Sequence, residues 1–264
     1  MATRSALINV MSRAADKAAR GLRRDFGEVE QLQVSVKGPG NFVSTADHKA
    51  EKVLRQELQH GRPDYSFLME ESGAIAGSDT EHRWIVDPLD GTTNFLHGLP
   101  HFCISIALER AGEIVAGVVF DPIMDELFWA EKGIGTYLND RRLRVSSRRQ
   151  LANALIATGT PYDPGPDRKR YLAQLQAVMD SVADVRRMGA AALDLAYVAA
   201  GRFDGYWEYG LSPWDFAAGM LLVREAGGYV SDPESDGDPL ASGNVLAAND
   251  HLHSSLQSML AQAS

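Results

Sequence analysis

The chain has 264 residues, 45% of them hydrophobic and 23% charged, with 26 lysines and arginines against 35 aspartates and glutamates and a net charge of -9. That composition excludes a largely disordered chain, a collagen-like repeat and a disulfide-stapled miniprotein. The acidic balance excludes a general polyanion binder, so no direct nucleic-acid binding is expected. A chain of this length buries an ample core unaided, so a metal would serve chemistry rather than folding.

A long first helix is predicted from Ala6, Leu7, Val10, Met11, Ala14, Ala15, Ala18 and Leu22, which recur at helical spacing with Arg and Lys on the other face. Asp16 and Asp25 weigh against a transit peptide, and no continuous apolar core marks a secretory signal. A Gly- and Pro-rich loop, Lys37-Gly38-Pro39-Gly40-Asn41, leads to a second helix over residues 45–60, with Ser44 and Asp47 at capping-box spacing. Strands follow over 66–68, 84–86, 103–108, 114–120 and 126–130, parted by Gly, Pro and Asp. From residue 151 the pattern alternates. Strands are predicted at 154–158, 184–187, 203–208 and 245–248, and helices at 167–179, 190–199 and 213–226, with a last helix reaching about 261.

A strand block followed by β-α alternation predicts stacked sheet and helix layers, α+β shading into α/β. The expected division is an N-terminal half, 1–148, and a C-terminal half, 149–264, joined as one unit. The apolar runs at 114–120 and 245–248 are too short to span a bilayer. Cys103 is the only cysteine, which excludes an internal disulfide and makes a reducing, cytoplasmic setting the expectation.

Three acidic clusters stand out. Met69-Glu70-Glu71-Ser72 ends an apolar strand, where alternation would send Glu70 and Glu71 to opposite faces; alone, the pair also describes a solvated strand end. In Trp84-Ile85-Val86-Asp87-Pro88-Leu89-Asp90-Gly91-Thr92-Thr93-Asn94, a strand delivers Asp87 at its C-terminal end, and Pro88 is expected to turn the chain so that Asp90 returns to the same point. Two carboxylates attract a hard divalent cation, and the N–H groups of Gly91 and Thr92 offer a nest for a phosphate. Capping aspartates in a turn would also fit this stretch. In Ser212-Pro213-Trp214-Asp215, Ser212 suits an N-cap, Pro213 the first helical position and Asp215 the first turn, so helix capping alone would explain the aspartate.

Together these motifs, with the Trp214-Asp215-x-Ala217-x-Gly219 pattern, make the chain resemble the inositol monophosphatase family from about residue 37 to 249. The resemblance implies a layered α-β-α-β-α sandwich of the sugar phosphatase type. It implies a lithium-sensitive phosphomonoesterase using two to three Mg²⁺ ions. Glu70, Asp87 and the Leu89 carbonyl would hold one ion, and Asp87, Asp90 and Asp215 a second; Glu70 would reach a weaker third. Paired ions of this kind clamp the attacking and leaving oxygens of an in-line displacement and make water nucleophilic near neutral pH. The Thr92 hydroxyl, paired with Asp47 and close to Glu70, would activate that water, while Gly91 and Thr92 N–H groups hold the phosphate. No covalent phosphoenzyme is implied, and Cys103 and the histidines, His97 included, would be bystanders.

Substrate choice would fall to Glu208, the small-residue stretch Gly189-Ala190-Ala191, and Arg186 at the pocket rim. Asn41, Ser44 and Met69 depart from the residues usual in the family; the first puts the affinity for a third ion in question, and the last changes packing only. The implied substrate is myo-inositol 1-phosphate, with histidinol phosphate, fructose 1,6-bisphosphate and 3′-phosphorylated nucleotides as alternatives. A homodimer is implied. A regulatory role beside RNA polymerase in ribosomal RNA transcription is the alternative of another class.

Overall fold

The computed structural model describes residues 4–28, 34–38, 41–161, 166–235 and 237–263. Helix α1 (Ala6–Phe26) is capped by Ser5, whose side chain accepts from the Ile8 N–H, and it buries the predicted stripe of Ile8, Met11, Ala14, Ala15, Ala18 and Leu22. The Gly- and Pro-rich stretch is the tip of an antiparallel hairpin rather than a plain loop: β1 (Val34–Gly38) pairs with β2 (Asn41–Ser44). Lys37, Gly38 and Asn41 are therefore strand residues. Pro39, Gly40 and the side chain of Asn41 lie outside the described residues. Helix α2 (Thr45–Gly61) then opens on the predicted capping box between Ser44 and Asp47.

The first sheet contains β3 (Ser66–Met69), β4 (Gly73–Ile75), β5 (His82–Asp90), β6 (Cys103–Arg110), β7 (Glu113–Asp121), β8 (Glu126–Glu131), β9 (Gly135–Leu138) and β10 (Arg141–Arg142). Its order is β10-β9-β8-β7-β6-β5-β3-β4, antiparallel except where β3 runs parallel to β5. A short helix, α3 (Thr92–Leu96), follows β5. The second sheet contains β11 (Leu155–Thr158), β12 (Asp184–Arg186), β13 (Gly205–Glu208), β14 (Tyr229–Ser231) and β15 (Val245–Ala248), in the order β12-β11-β13-β15-β14. The remaining helices are α4 (Pro166–Met179), α5 (Ala191–Ala199), α6 (Pro213–Glu225), α7 (Pro239–Ser242) and α8 (His253–Gln262). The elements missing from the sequence reading (α3, α7, β4, β9, β10 and β14) run two to five residues, too short for a hydrophobic period to repeat.

Burial sorts these elements into α-β-α-β-α layers. α1 and α2 share a core with one face of the first sheet, through Ile8, Leu54, Trp84 and Ile106. α5 and α6 fill the space between the sheets, where Leu195, Phe216 and Leu222 meet Val119 and Phe128 on one side and Tyr206 and Ala247 on the other. α8 closes the outer face of the second sheet, with Leu256 and Leu260 against Trp207 and Leu246, and Val178 of α4 joins the same cluster. A helix between two sheets has no wet face, which is why α5 reads apolar apart from Asp194. Among the described residues no helix is long and apolar enough to cross a membrane.

The middle layer is thin because its contacts are small. A Cβ on Gly219 of α6 would stand 2.6 Å from the Leu195 Cβ on α5, and one on Gly117 of β7 would stand 3.0 Å from the Ala218 carbonyl oxygen. The terminal glycine of the Trp-Asp-x-Ala-x-Gly pattern is thus a helix-crossing residue. Gly219→Ala is expected to destabilise the protein by about 1–3 kcal/mol through overpacking, read as a lowered urea midpoint; an unchanged midpoint would contradict this close crossing.

Candidate active site

Asp87 and Asp90 are three residues apart, a spacing that puts side chains on opposite faces of a regular strand. β5 does not turn at Pro88, as the sequence suggested, but continues through Asp90 with a bulge: Asp87 pairs with Ser105 and Asp90 with Cys103, so three steps on β5 match two on β6. The extra residue restores the parity, and both carboxylates face the same side. Pro88 has no N–H to give to the ladder, which a bulge tolerates. The Asp87 Oδ1 accepts from the Leu89 N–H at 2.8 Å and holds the bulge in shape.

Gly91 follows with φ 93°, a left-handed conformation natural to glycine, and starts α3. A Cβ there would lie 3.0 Å from the His101 carbonyl oxygen and 3.2 Å from the Ala190 Cβ, so the turn is packed tightly beneath the small-residue stretch. The Thr92 hydroxyl lies 3.0 Å from Asp47 Oδ1 and 3.0 Å from the Leu89 carbonyl oxygen, and its one proton can serve either. The other Asp47 oxygen accepts from the Ser44 N–H at 2.9 Å and the Ser44 hydroxyl at 2.6 Å. Asp47 is buried, and it is both a helix cap and the partner of Thr92.

Glu70 and Glu71 lie just past the end of β3, in the turn before β4, so strand alternation does not govern them. The turn is held by Glu51, a buried carboxylate of α2 that the sequence reading passed over. It accepts from the Glu71 N–H at 2.8 Å, the Ser72 N–H at 3.3 Å and the Ser72 hydroxyl. The Glu70 N–H donates to the Val86 carbonyl, which ties the turn to the strand carrying Asp87.

Asp215 enters from the middle layer. It closes a capping box on α6, accepting from the Ser212 N–H at 2.7 Å, while the Ser105 hydroxyl anchors the same helical turn through the Trp214 carbonyl at 3.1 Å. Its charge reaches both strand aspartates. Burial above all, then the charges of Glu70, Asp90 and Asp215, pushes the Asp87 carboxyl well above the usual range. Burial and then Asp215 push Asp90 up likewise, against a pull from the Ala192 N–H, which donates to its Oδ2 at 2.7 Å.

Among the described residues, no three His, Cys, Asp or Glu side chains stand close enough to grip an ion as they are. Glu70, Asp87, Asp90 and Asp215 instead share one field from separate elements. With the Leu89 carbonyl, the donors are hard oxygens, and that set suits Mg²⁺ better than a thiophilic metal. The sulfur nearby, Cys103 Sγ, donates to Asp90 Oδ2 at 3.7 Å, and burial and the neighbouring aspartates raise its thiol pKa, so it supplies no thiolate. Cys103 therefore touches the site although it has no ligand chemistry.

A cavity of about 390 Å³ opens beside these groups, lined among others by Asp90, Asp215, Gly189, Ala191 and Glu208. Arg186 does not reach it. That residue ends the edge strand β12 and pairs with Asp184, whereas its neighbour Arg187, just past the strand end, lines the cavity and donates to Thr160 Oγ1 at 3.2 Å. Glu208 accepts from the buried Tyr206 hydroxyl and lies so close to Gly159 that a Cβ there would sit 1.8 Å from its carboxyl carbon. Tyr206 and Gly159 were invisible in sequence because each acts only through Glu208.

Comparison with known proteins places this geometry in context. Residues 3–264 match the model of the inositol monophosphatase family. The chain is 58% identical over 257 residues to an inositol-1-monophosphatase of Rhizobium meliloti, covering 97% of each chain. It is 44% identical over 243 residues to the Nus factor SuhB of Escherichia coli, covering 92% of this chain and 91% of that one. A crystal structure of the extragenic suppressor protein SuhB from Bartonella henselae superposes with a TM-score of 0.94 at 57% identity, covering 97% of this chain and 98% of that one.

Burial, which outweighs the opposing Tyr206 hydrogen bond, pushes the Glu208 carboxyl from its ordinary 4.5 up to about 7. Since the folded pKa is the raised one, the associated stability is fully present below about 4.5 and is lost as pH rises to about 7. Urea unfolding of wild type and Glu208→Gln across pH 4 to 8 should show that loss in wild type and a shallower one in the variant. Parallel pH profiles would refute the shift.

Proposed function

The chain belongs to the inositol monophosphatase family, and we propose that it hydrolyses myo-inositol 1-phosphate to inositol and phosphate with Mg²⁺ held by Glu70, Asp87, Leu89, Asp90 and Asp215. The observation that carries this reading is that one cavity has Asp90 and Asp215 in its wall together with the polyol-type acceptor Glu208. An acidic pocket repels a phosphate ester unless cations reverse the local sign. Mg²⁺ held there by these carboxylates would supply that charge, lower the pKa of water beside the phosphorus and stabilise the departing alkoxide.

The protein's own part is positional. Donation from Thr92 Oγ1 to Asp47 Oδ1 leaves the threonine oxygen as an acceptor for the proton of the attacking water. Glu70 stands on the turn near Asp87, held there by Glu51 through Glu71 and Ser72. The Gly91 and Thr92 N–H groups orient the phosphate oxygens, and Asp90 keeps α5 in place through Ala192. Glu208 accepts from a ring hydroxyl, while Gly189, Ala190 and Ala191 let the ring approach the backbone. Cys103 is not the nucleophile, because burial holds it as a thiol; displacement by water is direct. We place the enzyme in the cytoplasm as a homodimer, by likeness to the family.

Asp87→Asn and Asp215→Asn are each expected to lower kcat by at least about a hundredfold, since each removes charge facing the transition state. Near-normal turnover in either would refute the ligand assignment. Phosphate release from inositol 1-phosphate, histidinol phosphate, fructose 1,6-bisphosphate and a 3′-phosphorylated adenine nucleotide should give the highest kcat/KM for the first, with loss of activity on chelation and inhibition by Li⁺. A large preference for another ester would replace the substrate and keep the mechanism. The Nus-factor relative favours a second reading, a partner of RNA polymerase. Co-precipitation of polymerase with an inactive Asp90→Asn variant would establish it as a separate role.

A further inference from the structure

His101 and Asp194 are buried groups that the reaction does not use. His101 ends the loop after α3, and Asp194 lies in the first turn of α5. The His101 side chain is 12% exposed and that of Asp194 2%, and His101 Nε2 stands 3.4 Å from Asp194 Oδ1. Neither atom has an aligned hydrogen bond to another group among the described residues, and the two face each other at ion-pair distance. A largely buried imidazole and carboxylate that face each other are costly to part.

Their place in the fold gives the contact a use. The polyol-facing stretch and the first turn of α5 that follows it meet the phosphate turn at four points. Ala192 N–H donates to Asp90, Gly91 packs beneath Ala190, and His101 faces Asp194. The Asn94 side-chain amide donates both to the His101 carbonyl and to the Met188 carbonyl, each at 2.8 Å. The phosphate turn has separate anchors in the first half of the chain, where Thr92 meets Asp47 and the Leu89 carbonyl. On the other side the Ala190 carbonyl accepts from the Asp194 N–H at 2.9 Å, so the stretch 188–191 is tied to Asp194, and parting Asp194 from His101 displaces the polyol side.

We propose that His101 and Asp194 are positioning residues that lock the polyol-facing stretch 188–191 onto the phosphate turn and so set affinity for the ring rather than the rate of phosphate hydrolysis. This inference rests on the proposed inositol-phosphate reading. Its test compares KM and kcat on inositol 1-phosphate with those on p-nitrophenyl phosphate, which offers no ring hydroxyls to Glu208.

His101→Ala should raise KM for inositol 1-phosphate about tenfold, with kcat and all aryl-phosphate parameters within about twofold. His101→Gln, whose amide nitrogen can occupy the position of Nε2, should recover most of the lost affinity. Asp194→Asn keeps the shape, removes the charge and should raise KM at least about threefold in the same selective way. Equal losses on both esters, or an unchanged KM in the Gln and Asn variants alike, overturn the proposal even where the alanine variant folds poorly. Wild type that cleaves the aryl ester but not inositol 1-phosphate refutes the substrate reading instead. The pair is then judged by the same split on whichever polyol phosphate wild type accepts.

Discussion

The carboxyl groups of Asp87 and Asp90 belong to one strand and face one side, and the rest of the site is arranged around the cost of keeping them there. Burial alone disfavours two such charges, and Asp215 adds a third from a different layer. The fold meets that cost by surrounding each group with donors. The Leu89 N–H serves Asp87, the Ala192 N–H serves Asp90 and the Ser212 N–H serves Asp215. These backbone bonds orient the carboxylates, but they do not neutralise them. A compact set of hard oxygens with unspent negative charge has most to gain from a divalent cation, and this links the strand irregularity to the chemistry.

The middle helical layer turns this local arrangement into a two-sided site. α5 and α6 lie between the sheets, and the N-terminal end of each meets the same stretch of the first sheet: α5 through Ala192 on Asp90, α6 through Trp214 on Ser105. Helix N-termini bring N–H donors and the positive end of the helix dipole to acidic ground. The second sheet then contributes Glu208 from β13, so the groups proposed to face the phosphate and the ring come from different layers joined by the same helices.

Much of the site was legible in the sequence because its residues also obey local rules. Asp47 and Asp215 occupy capping-box positions, and sequence alone posed capping and chemistry as rivals. In the structure Asp47 makes both contacts at once, one oxygen facing Ser44 and the other Thr92. What could not be read depended on parity or on distance along the chain. The bulge at Pro88 adds one unpaired residue, and a proline marks a turn as readily as a bulge; without the bulge, strand alternation sends Asp87 and Asp90 apart. The choice between Arg186 and Arg187 turns on where the edge strand β12 ends, since the residue just past it lines the cavity. Glu51 acts from twenty residues before the turn it holds. The layers were easier, since long helices and buried strands repeat their pattern enough to be seen, whereas β4, β10 and α7 do not.

Gly159 shows how far this organisation extends from the reacting atoms. Its missing side chain leaves room for the Glu208 carboxyl, and Tyr206 holds that carboxyl from the other side. The acceptor's location is thus determined by an empty volume on the neighbouring strand end, not only by the residue that bears the oxygen atoms. Redesign for a bulkier or less hydroxylated ester can begin from that vacancy: filling it would evict the acceptor and remodel ring selectivity, with every group around the phosphorus left in its inherited place.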